Sequence, residues 1–215
     1  WGDYDGNSFN DIDVTMTENQ PEETSAGIEI SSNGTGPLSW IVGMNYFDQE
    51  VNYDFDLRIG AIGGGNVPAS TGWGTYWLDT YGVFASVDYE LSDAWTISVG
   101  GRYTKEEKDI YWRPSSTEYA QNQRITLAAA LLPNEDGEEW SSFDPKVTLT
   151  YSFANGGIAY ATYSTGFKSG GYNAPTRRGG EALDPEELDM IEFGYKADLT
   201  NNLRLTSSVF FYDYT

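Results

Sequence analysis

Three basic residues, Lys168, Arg177 and Arg178, stand close together in a chain that is otherwise strongly acidic. The 215 residues include 12 Lys and Arg against 33 Asp and Glu, for a formal net charge of −21. Guanidinium groups present planar sets of donors that match a carboxylate or another anion. These residues could therefore grip an anionic ligand, although an ordinary solvated loop would have the same composition.

A second set of candidates is aromatic. Exposed aromatic rings often mark binding surfaces, because a ring buries a large area and can still offer a polar edge. Packing within a loop and anchoring at a membrane interface explain such rings equally well. The aromatic candidates for ligand binding are Trp73, Tyr76, Trp77, Tyr111 and Trp112, with Tyr172 near the basic residues.

No catalytic residue, metal site or cofactor is predicted. The chain has no Cys and no His, which removes thiol nucleophiles, zinc ribbons and Ser-His-Asp chemistry. The acidic stretch 2–13 departs from a calcium loop in its glycine position and lacks the terminal Glu, so it is interpreted as a solvated loop. The run 135–139 is interpreted likewise, although divalent cations could bridge it to lipopolysaccharide phosphates, and the glycine-rich run 60–65 is interpreted as a flexible loop. Strong acidity also argues against a nucleic-acid partner.

The elements that must position these residues are β-strands. Between Tyr81 and Thr104 the odd positions are mostly apolar and the even positions mostly polar. This period of two is typical of a strand with two different faces. Eight such strands are predicted, at about 24–32, 38–50, 81–91, 95–107, 142–153, 158–167, 188–199 and 203–213.

The connections between these strands alternate between short and long. Short turns are expected at 33–36, 92–94, 154–157 and 200–202, and long loops at 51–77, 108–139 and 168–186. An antiparallel meander then has every tight turn at one end. Short periplasmic turns and long extracellular loops are typical of outer-membrane barrels, whereas Greek-key sandwiches do not sort their connections in this way.

Aromatic spacing on the apolar face favours the same fold. Tyr81 and Tyr89 are eight residues apart, as are Trp95 and Tyr103. Eight residues span about 26 Å of strand, or about 20 Å when tilted, close to an apolar band about 25 Å tall. We therefore expect an all-β, antiparallel transmembrane β-barrel. Because an open sheet would leave bare edges in lipid, we also expect further strands beyond this sequence.

Two stretches towards the end of the sequence carry a family pattern. Residues 160–175 read YATYSTGFKSGGYNAP, and residues 183–215 contain Pro-Glu, a Glu-x-Gly-x-Lys strand, a tight turn and an aromatic strand. This pattern resembles the TonB-dependent receptors of Gram-negative outer membranes, and the segments 30–50 and 83–104 resemble earlier hairpins of that family. The matching motif residues are Gly166, Phe167, Lys168, Ser169, Gly170, Gly171, Tyr172, Asn173, Pro185, Glu186, Glu192, Gly194 and Lys196.

Structural roles are expected for several motif residues. Gly170 and Gly171 should let the chain bend where it leaves the membrane. Glu192 and Lys196 share the inward face of one strand, where ion pairing with neighbouring strands or with a plug domain is expected. On the other face of that strand, Ile191 and Phe193 should meet lipid.

The resemblance implies what the complete protein would do. Residues 1–215 would be part of the barrel domain of a monomeric 22-stranded barrel, filled by an N-terminal plug that lies outside this sequence. Such a protein is not an enzyme: it imports a scarce ligand, most often a ferric siderophore or similar chelate, with energy supplied by the TonB complex. Its other partners would be outer-membrane lipid and lipopolysaccharide. A passive porin and a secreted carbohydrate-binding β-sandwich remain open as alternatives.

Overall fold

A computed structural model describes residues 2–3, 12–18, 21–61, 65–115, 134–172 and 182–215. These residues form one antiparallel sheet. The part of the chain so described has no helix that is long and apolar enough to cross a membrane. The strands are β1 (Gly2–Asp3), β2 (Ile12–Glu18), β3 (Glu22–Ser31), β4 (Leu38–Ala61), β5 (Gly65–Glu90), β6 (Trp95–Ser115), β7 (Asn134–Ser152), β8 (Ile158–Lys168), β9 (Glu186–Thr200) and β10 (Leu203–Tyr214).

The sheet is a meander from β4 to β10, in which each strand pairs with the next along the chain. Strands β2 and β3 lie end to end along β4, with Glu18 opposite Tyr53 and Glu22 opposite Glu50. The described sheet is therefore eight strands wide, with β1 as a short ninth at one corner. All eight predicted strands are present, which confirms the all-β meander.

Several predicted loop boundaries are wrong. Pairing of β4 with β5 continues to Ala61 opposite Gly65, so most of 51–77 is strand. Pairing of β6 with β7 likewise includes 105–112 and 134–141, so the run 135–139 is strand rather than loop. Residues 2–3 and 12–13 of the supposed acidic loop are also strand. Strand pairing does not end at the lipid boundary, because two neighbouring strands can form the same backbone hydrogen bonds with each other in water as in lipid.

The four short turns lie at one end of the sheet as predicted, but at the other end the connection predicted at 51–77 is reduced to residues 62–64, between Ala61 and Gly65. The connections at 32–37, 91–94, 153–157 and 201–202 are short and, in a meander, lie at one rim. In the third of these, Gly156 has a φ of 85° and its N–H donates to the carbonyl of Phe153 at 2.9 Å. A positive φ is the conformation that glycine adopts without strain.

Residues of the apolar face stand in register across the sheet. One row crosses seven strands through directly facing pairs: Trp40, Val87, Val99, Val147, Tyr163, Ile191 and Phe211. Apolar side chains of this face are also the exposed ones, with Ile191 at 47% and Phe193 at 50%, whereas Glu192 between them is only partly exposed. This is the reverse of a water-soluble sheet and suits a face that meets lipid.

Aromatic girdles flank this apolar band. At the rim of the short turns, Trp95 and Tyr151 have ring centroids 4.8 Å apart, and Tyr151 and Phe153 are also 4.8 Å apart. At the upper edge, the rings of Tyr46 and Tyr81 are 5.1 Å apart. The two predicted girdles are therefore present on the outward face.

Candidate functional site

Strands β4 to β7 continue well beyond the upper girdle, and there charged residues appear on the outer face while buried apolar side chains lie on the inner face of β4 to β6. We call this region the extension; it comprises the described residues 47–61, 65–80, 105–115 and 134–141. On β4, the 15 residues from Phe47 to Ala61 span roughly 50 Å along the strand. Within the lipid band the outward face is apolar. The first outward row beyond Tyr46 and Tyr81 of the upper girdle is acidic: Asp48, Asp79, Glu107 and Glu139.

The inner face of the extension carries the buried aromatic residues. Tyr53 and Trp112 are 4% and 5% exposed, and their rings stack 5.8 Å apart at an interplanar angle of 8°. Both rings lie on glycine backbone, because a Cβ at Gly74 would come within 2.7 Å of the Tyr53 ring and one at Gly72 within 2.5 Å of the Trp112 ring. Ile110, on the same face between Trp112 and Lys108, is 7% exposed.

A short segment after β8 folds onto this face. We call Ser169–Tyr172 the strap. Tyr172 meets Trp140 edge to face, with ring centroids 6.3 Å apart. Its hydroxyl also lies close enough to Tyr76 for the two to interact electrostatically. The strap thus adds to an inner-wall aromatic patch made of Tyr53, Tyr76, Trp112, Trp140 and Tyr172.

Lys108 holds the strap against β6. Its ammonium donates hydrogen bonds to the Ser169 hydroxyl and to the Gly170 carbonyl, both at 2.6 Å. The ammonium also lies 3.4 Å from the Glu106 carboxylate and 5.4 Å from the centre of the Trp140 ring. The Ser169 hydroxyl donates in turn to Glu106. All three ammonium protons therefore have acceptors in reach.

The glycines of the strap are not equivalent. A Cβ at Gly170 would lie 1.9 Å from the Leu183 carbonyl oxygen and 2.7 Å from the Trp140 ring, whereas a Cβ at Gly171 would have nothing within 4 Å. Gly171 instead forms a backbone bridge with Leu183, whose N–H donates to the Gly171 carbonyl at 2.7 Å. Gly170 thus has a steric reason to be glycine, and nothing in the structure explains the glycine at 171.

The phenols of the patch are neutral donors at ordinary pH. Burial raises the pKa of Tyr53 and of Tyr76 to about 12. Burial, assisted by the carboxylates of Asp136 and Glu138, raises the pKa of Tyr172 to about 12 as well. The buried hydroxyls of Tyr53 and Tyr172 have no hydrogen-bond partner among the described residues. Such groups could donate to an acceptor on a ligand.

The aromatic candidates from the sequence divide between two faces. Tyr76, Trp112 and Tyr172 lie in the inner-wall patch. Trp73, Trp77 and Tyr111 lie on the outer face. There the rings of Trp73 and Tyr111 are 5.2 Å apart, and the Trp77 indole donates to Glu50 at 3.1 Å. The structure therefore brings together only the first three.

The basic candidates are described in part. Lys168, at the end of β8, is largely exposed and pairs with the Glu186 carboxylate at 3.0 Å. Glu186 also accepts a hydrogen bond from the Tyr214 hydroxyl. Arg177 and Arg178 lie outside the described residues, as does Asn173. No group of three or more potential metal ligands occurs among the residues that the structure describes.

Glu192 and Lys196 point inward as predicted, but their partner is an aromatic residue. The Tyr160 hydroxyl donates to Glu192 at 2.8 Å, and the Lys196 ammonium lies 5.5 Å from the centre of the Tyr160 ring. Within the described ranges neither charge has an ion-pair partner on a neighbouring strand. Since Tyr160 leans over Gly194, the motif glycine makes room for the ring that both charges contact.

Sequence reasoning missed Lys108, Glu106 and Tyr53 as parts of a site, since all three fell in or beside segments interpreted as loop. A signal was present in the alternation on β6. Beyond Tyr103 the even positions Glu106, Lys108, Ile110 and Trp112 continue the inward parity of Ser98 and Arg102. Extending that parity past the girdle would have placed these residues on one face.

Taken together, a single antiparallel meander, an exposed apolar band, two aromatic girdles and short turns at one rim define part of the wall of an outer-membrane β-barrel. The chain belongs to the TonB-dependent receptor family: the family described as "TonB dependent receptor-like, beta-barrel" matches residues 2–215. Members of this family are outer-membrane proteins of Gram-negative bacteria, which confirms the expected location. Theirs is a family of receptors and transporters.

Solved structures agree on the fold. The ferric yersiniabactin uptake receptor FyuA from Yersinia pestis is similar with a TM-score of 0.76 and 13% identity, over 94% of this chain and 30% of that one. The siderophore receptor PiuA from Acinetobacter baumannii gives 0.62 and 16%, over 88% and 31%. The alcaligin outer-membrane receptor FauA from Bordetella pertussis gives 0.55 and 17%, over 93% and 30%.

The chain spans about three-tenths of the length of these structures. No curated protein sequence matches the chain. The described residues form one sheet rather than two facing sheets, and the exposed face of that sheet is the apolar one. The secreted β-sandwich is therefore excluded.

Proposed function

We propose that this chain is part of the barrel domain of a receptor that binds a small chelate outside the cell and imports it with energy from the TonB complex. A plug domain in the remainder of the protein would couple the barrel to TonB, and the complete barrel would have 22 strands and act as a monomer. Of three solved structures of the same fold, one is named as a siderophore receptor, one as a ferric yersiniabactin uptake receptor and one as an alcaligin receptor, and this supports a siderophore or similar chelate as the ligand.

One observation carries the binding half of the proposal: the inner-wall aromatic patch lies above the lipid band, on the face that a ligand meets before it enters the barrel. Tyr76, Trp140 and Tyr172 are partly exposed and offer ring surface there, whereas Tyr53 and Trp112 are buried. The hydroxyls of Tyr53 and Tyr172 have no hydrogen-bond partner among the described residues. Phenolic donors and flat rings suit a chelate with oxygen acceptors and apolar or aromatic edges.

The sequence adds two basic residues, Arg177 and Arg178, as candidate ligand contacts. If the chelate is anionic, Arg177 and Arg178 should supply charge-assisted hydrogen bonds worth about 1.5–3 kcal/mol each. Changing both to Gln should then weaken binding at least about tenfold without lowering barrel yield, and high salt should have the same effect. Unchanged affinity in the double variant would leave both residues as ordinary loop positions.

An uptake experiment on the complete receptor tests the function. Cells that lack other receptors would express it and receive catecholate, hydroxamate and phenolate chelates of radioactive iron, with and without a protonophore. We expect accumulation of at least one chelate, and its loss when the proton-motive force is collapsed. Uptake that persists with the protonophore would instead indicate the passive porin. If no chelate accumulates, the proposed ligand class is wrong.

A further inference from the structure

We propose that Lys108 is a positioning residue: it fixes the strap against the inner wall and so places Tyr172 in the aromatic patch. The meaning of this placement for ligand binding rests on the proposed function, whereas the placement itself does not. Among the described residues, no other cation donates a hydrogen bond to the strap.

The path of the chain shows why the strap needs a partner on β6. Pairing between β7 and β8 ends at Lys146 opposite Ser164, so the last residues of β8 are no longer tied to β7 by the ladder. The strap that follows crosses the inner face of β7 and reaches β6, the second strand away. At this point Lys108 makes two contacts at 2.6 Å, one to a side chain and one to the backbone.

Burial of the Lys108 side chain makes these contacts consequential. It is 12% exposed, and the Glu106 side chain beside it is 22% exposed. A hydrogen-bonded charge that is removed from water this far is strongly coupled to its partners, because losing one partner leaves the others unpaired. By contrast, an exposed ion pair contributes little. The cluster of Lys108, Glu106 and Ser169 therefore behaves as one unit that bridges β6 to the strap.

The same strand offers a matched control. Lys105 lies three residues before Lys108 on the outward face, and its ammonium is 2.7 Å from Glu107 and 2.9 Å from Glu139. Its side chain is 33% exposed. The two lysines thus share a strand and a pairing with carboxylates, but only Lys108 contacts the strap.

Gly171 provides a place for a reporter. Because a Cβ there would meet nothing within 4 Å, a Gly171→Cys change fits without displacing a neighbour. The 215 residues contain no other cysteine, so a nitroxide can be attached selectively if the remainder of the receptor also lacks accessible thiols. Electron paramagnetic resonance of the full-length receptor in outer-membrane vesicles would then report motion of the strap.

We expect an immobilised spectrum at position 171 in the parent, and the nanosecond motion of a free loop after Lys108→Met, which keeps the stem of the side chain but removes its donors. Lys105→Met should leave the spectrum unchanged. Adding Ser169→Ala to Lys108→Met should produce no further mobility, since both changes break the same unit. An immobilised spectrum in Lys108→Met, or equal mobility in Lys105→Met, would overturn the proposal.

Should Lys108→Met fail to assemble, Ser169→Ala and Glu106→Gln probe the same unit, and each should mobilise the label in part. If both leave the spectrum unchanged, the proposal fails. None of these measurements uses a ligand. If Lys108→Met mobilises the strap but the parent receptor imports no chelate, the proposed function is rejected and the positioning role of Lys108 is retained.

Discussion

The lower and upper parts of strands β4 to β6 have the same backbone pairing, but their buried or lipid-facing apolar side chains lie on opposite faces of the sheet. In the lower part, Val99 points outward and Ser98 inward, and the outward residue is the apolar one. In the upper part, Asp109 points outward and Ile110 inward, and the inward residue is the apolar one. No register shift interrupts β6 between these positions, so odd-numbered residues point outward and even-numbered residues inward throughout. This alternation alone does not determine which face is apolar. The surrounding medium does.

The exchange also marks the upper edge of the hydrocarbon. Outward residues change from Val83 and Tyr81 to Asp79 within one strand. In the row that Asp79 shares with Asp48, Glu107 and Glu139, carboxylates face one another across neighbouring strands. Like charges directly opposite are unfavourable even in water and far more so in lipid. We therefore place this row above the hydrocarbon, in contact with water and lipid headgroups.

The largest expected effect comes from breaking the lower part of the comparison. Val99→Arg should cost about 2–4 kcal/mol of folding free energy, because it sets a charge near the bilayer midplane, whereas Ser98→Arg points into the wet interior. The measurement is unfolding of the receptor by denaturant in lipid vesicles, followed by heat-modifiable migration on gels. Equal stabilities of the two variants would refute the assignment of faces.

A smaller effect is expected from the same kind of pair in the upper part. Ile110→Asn buries a polar amide on the inner wall and should destabilise the extension by about 2 kcal/mol. Asp109→Asn, one residue away and facing outward, should be close to neutral. Limited proteolysis of the assembled receptor measures this, because cleavage reports local opening of the extension and leaves the lipid band intact. Greater cleavage in Asp109→Asn than in Ile110→Asn would contradict the inverted polarity.

Sequence reasoning predicted the lower part of the sheet well and the upper part poorly. Alternation with apolar residues on one side located all eight strands, since the pattern from Trp95 to Tyr103 has a single interpretation as a half-buried strand. Above the girdle the pattern changes sides, and residues such as Glu107 and Asp109 then resemble a polar loop. A search for alternation assumes that the apolar residues stay on the same face along the whole strand. It therefore ends each strand at the membrane boundary, where the apolar residues change face.

The candidate site was predicted only in its residue types. Aromatic residues in the supposed loops were recognised, but dividing Tyr76 from Trp77 between two faces needs the register, which a loop assignment discards. Lys108 could not be connected to Ser169 from the sequence, because the contact joins β6 to the segment that follows β8, and β6 and β8 are not neighbours in the sheet. Gly170 was expected to permit a bend, whereas the structure gives close approach of Trp140 and Leu183 as the reason.

The two strap glycines sharpen the comparison at the point where the chain leaves the sheet. Gly170→Ala introduces a Cβ at 1.9 Å from the Leu183 carbonyl oxygen and 2.7 Å from the Trp140 ring, so the strap must shift from its position between them. Gly171→Ala meets open space and should be tolerated. We expect a local destabilisation of about 1–3 kcal/mol in the first variant only. Trypsin cleavage after Lys168 should therefore be faster in Gly170→Ala, and equal rates in the two variants would disprove the steric explanation.

The last effect appears only at alkaline pH and belongs to the upper part alone. Burial raises the pKa of Tyr76 from 10.0 to about 12. The folded state therefore holds the proton more tightly than the unfolded state does. The resulting stabilisation is complete below pH 10 and is lost as the pH rises towards 12, because the unfolded phenol ionises first.

A difference titration measures this shift directly. Subtracting the tyrosinate absorbance of Tyr76→Phe from that of the parent isolates the one phenol, and its midpoint should lie near pH 12. Tyr53→Phe should behave alike, since burial also raises the pKa of Tyr53 to about 12. Trp73→Phe alters a ring on the outer face of the extension and removes no titrating group, so its difference curve should be flat. A midpoint near pH 10 for Tyr76 would mean that water reaches the inner wall as freely as the outer one. The two faces of the extension would then differ in amino-acid composition but not in burial.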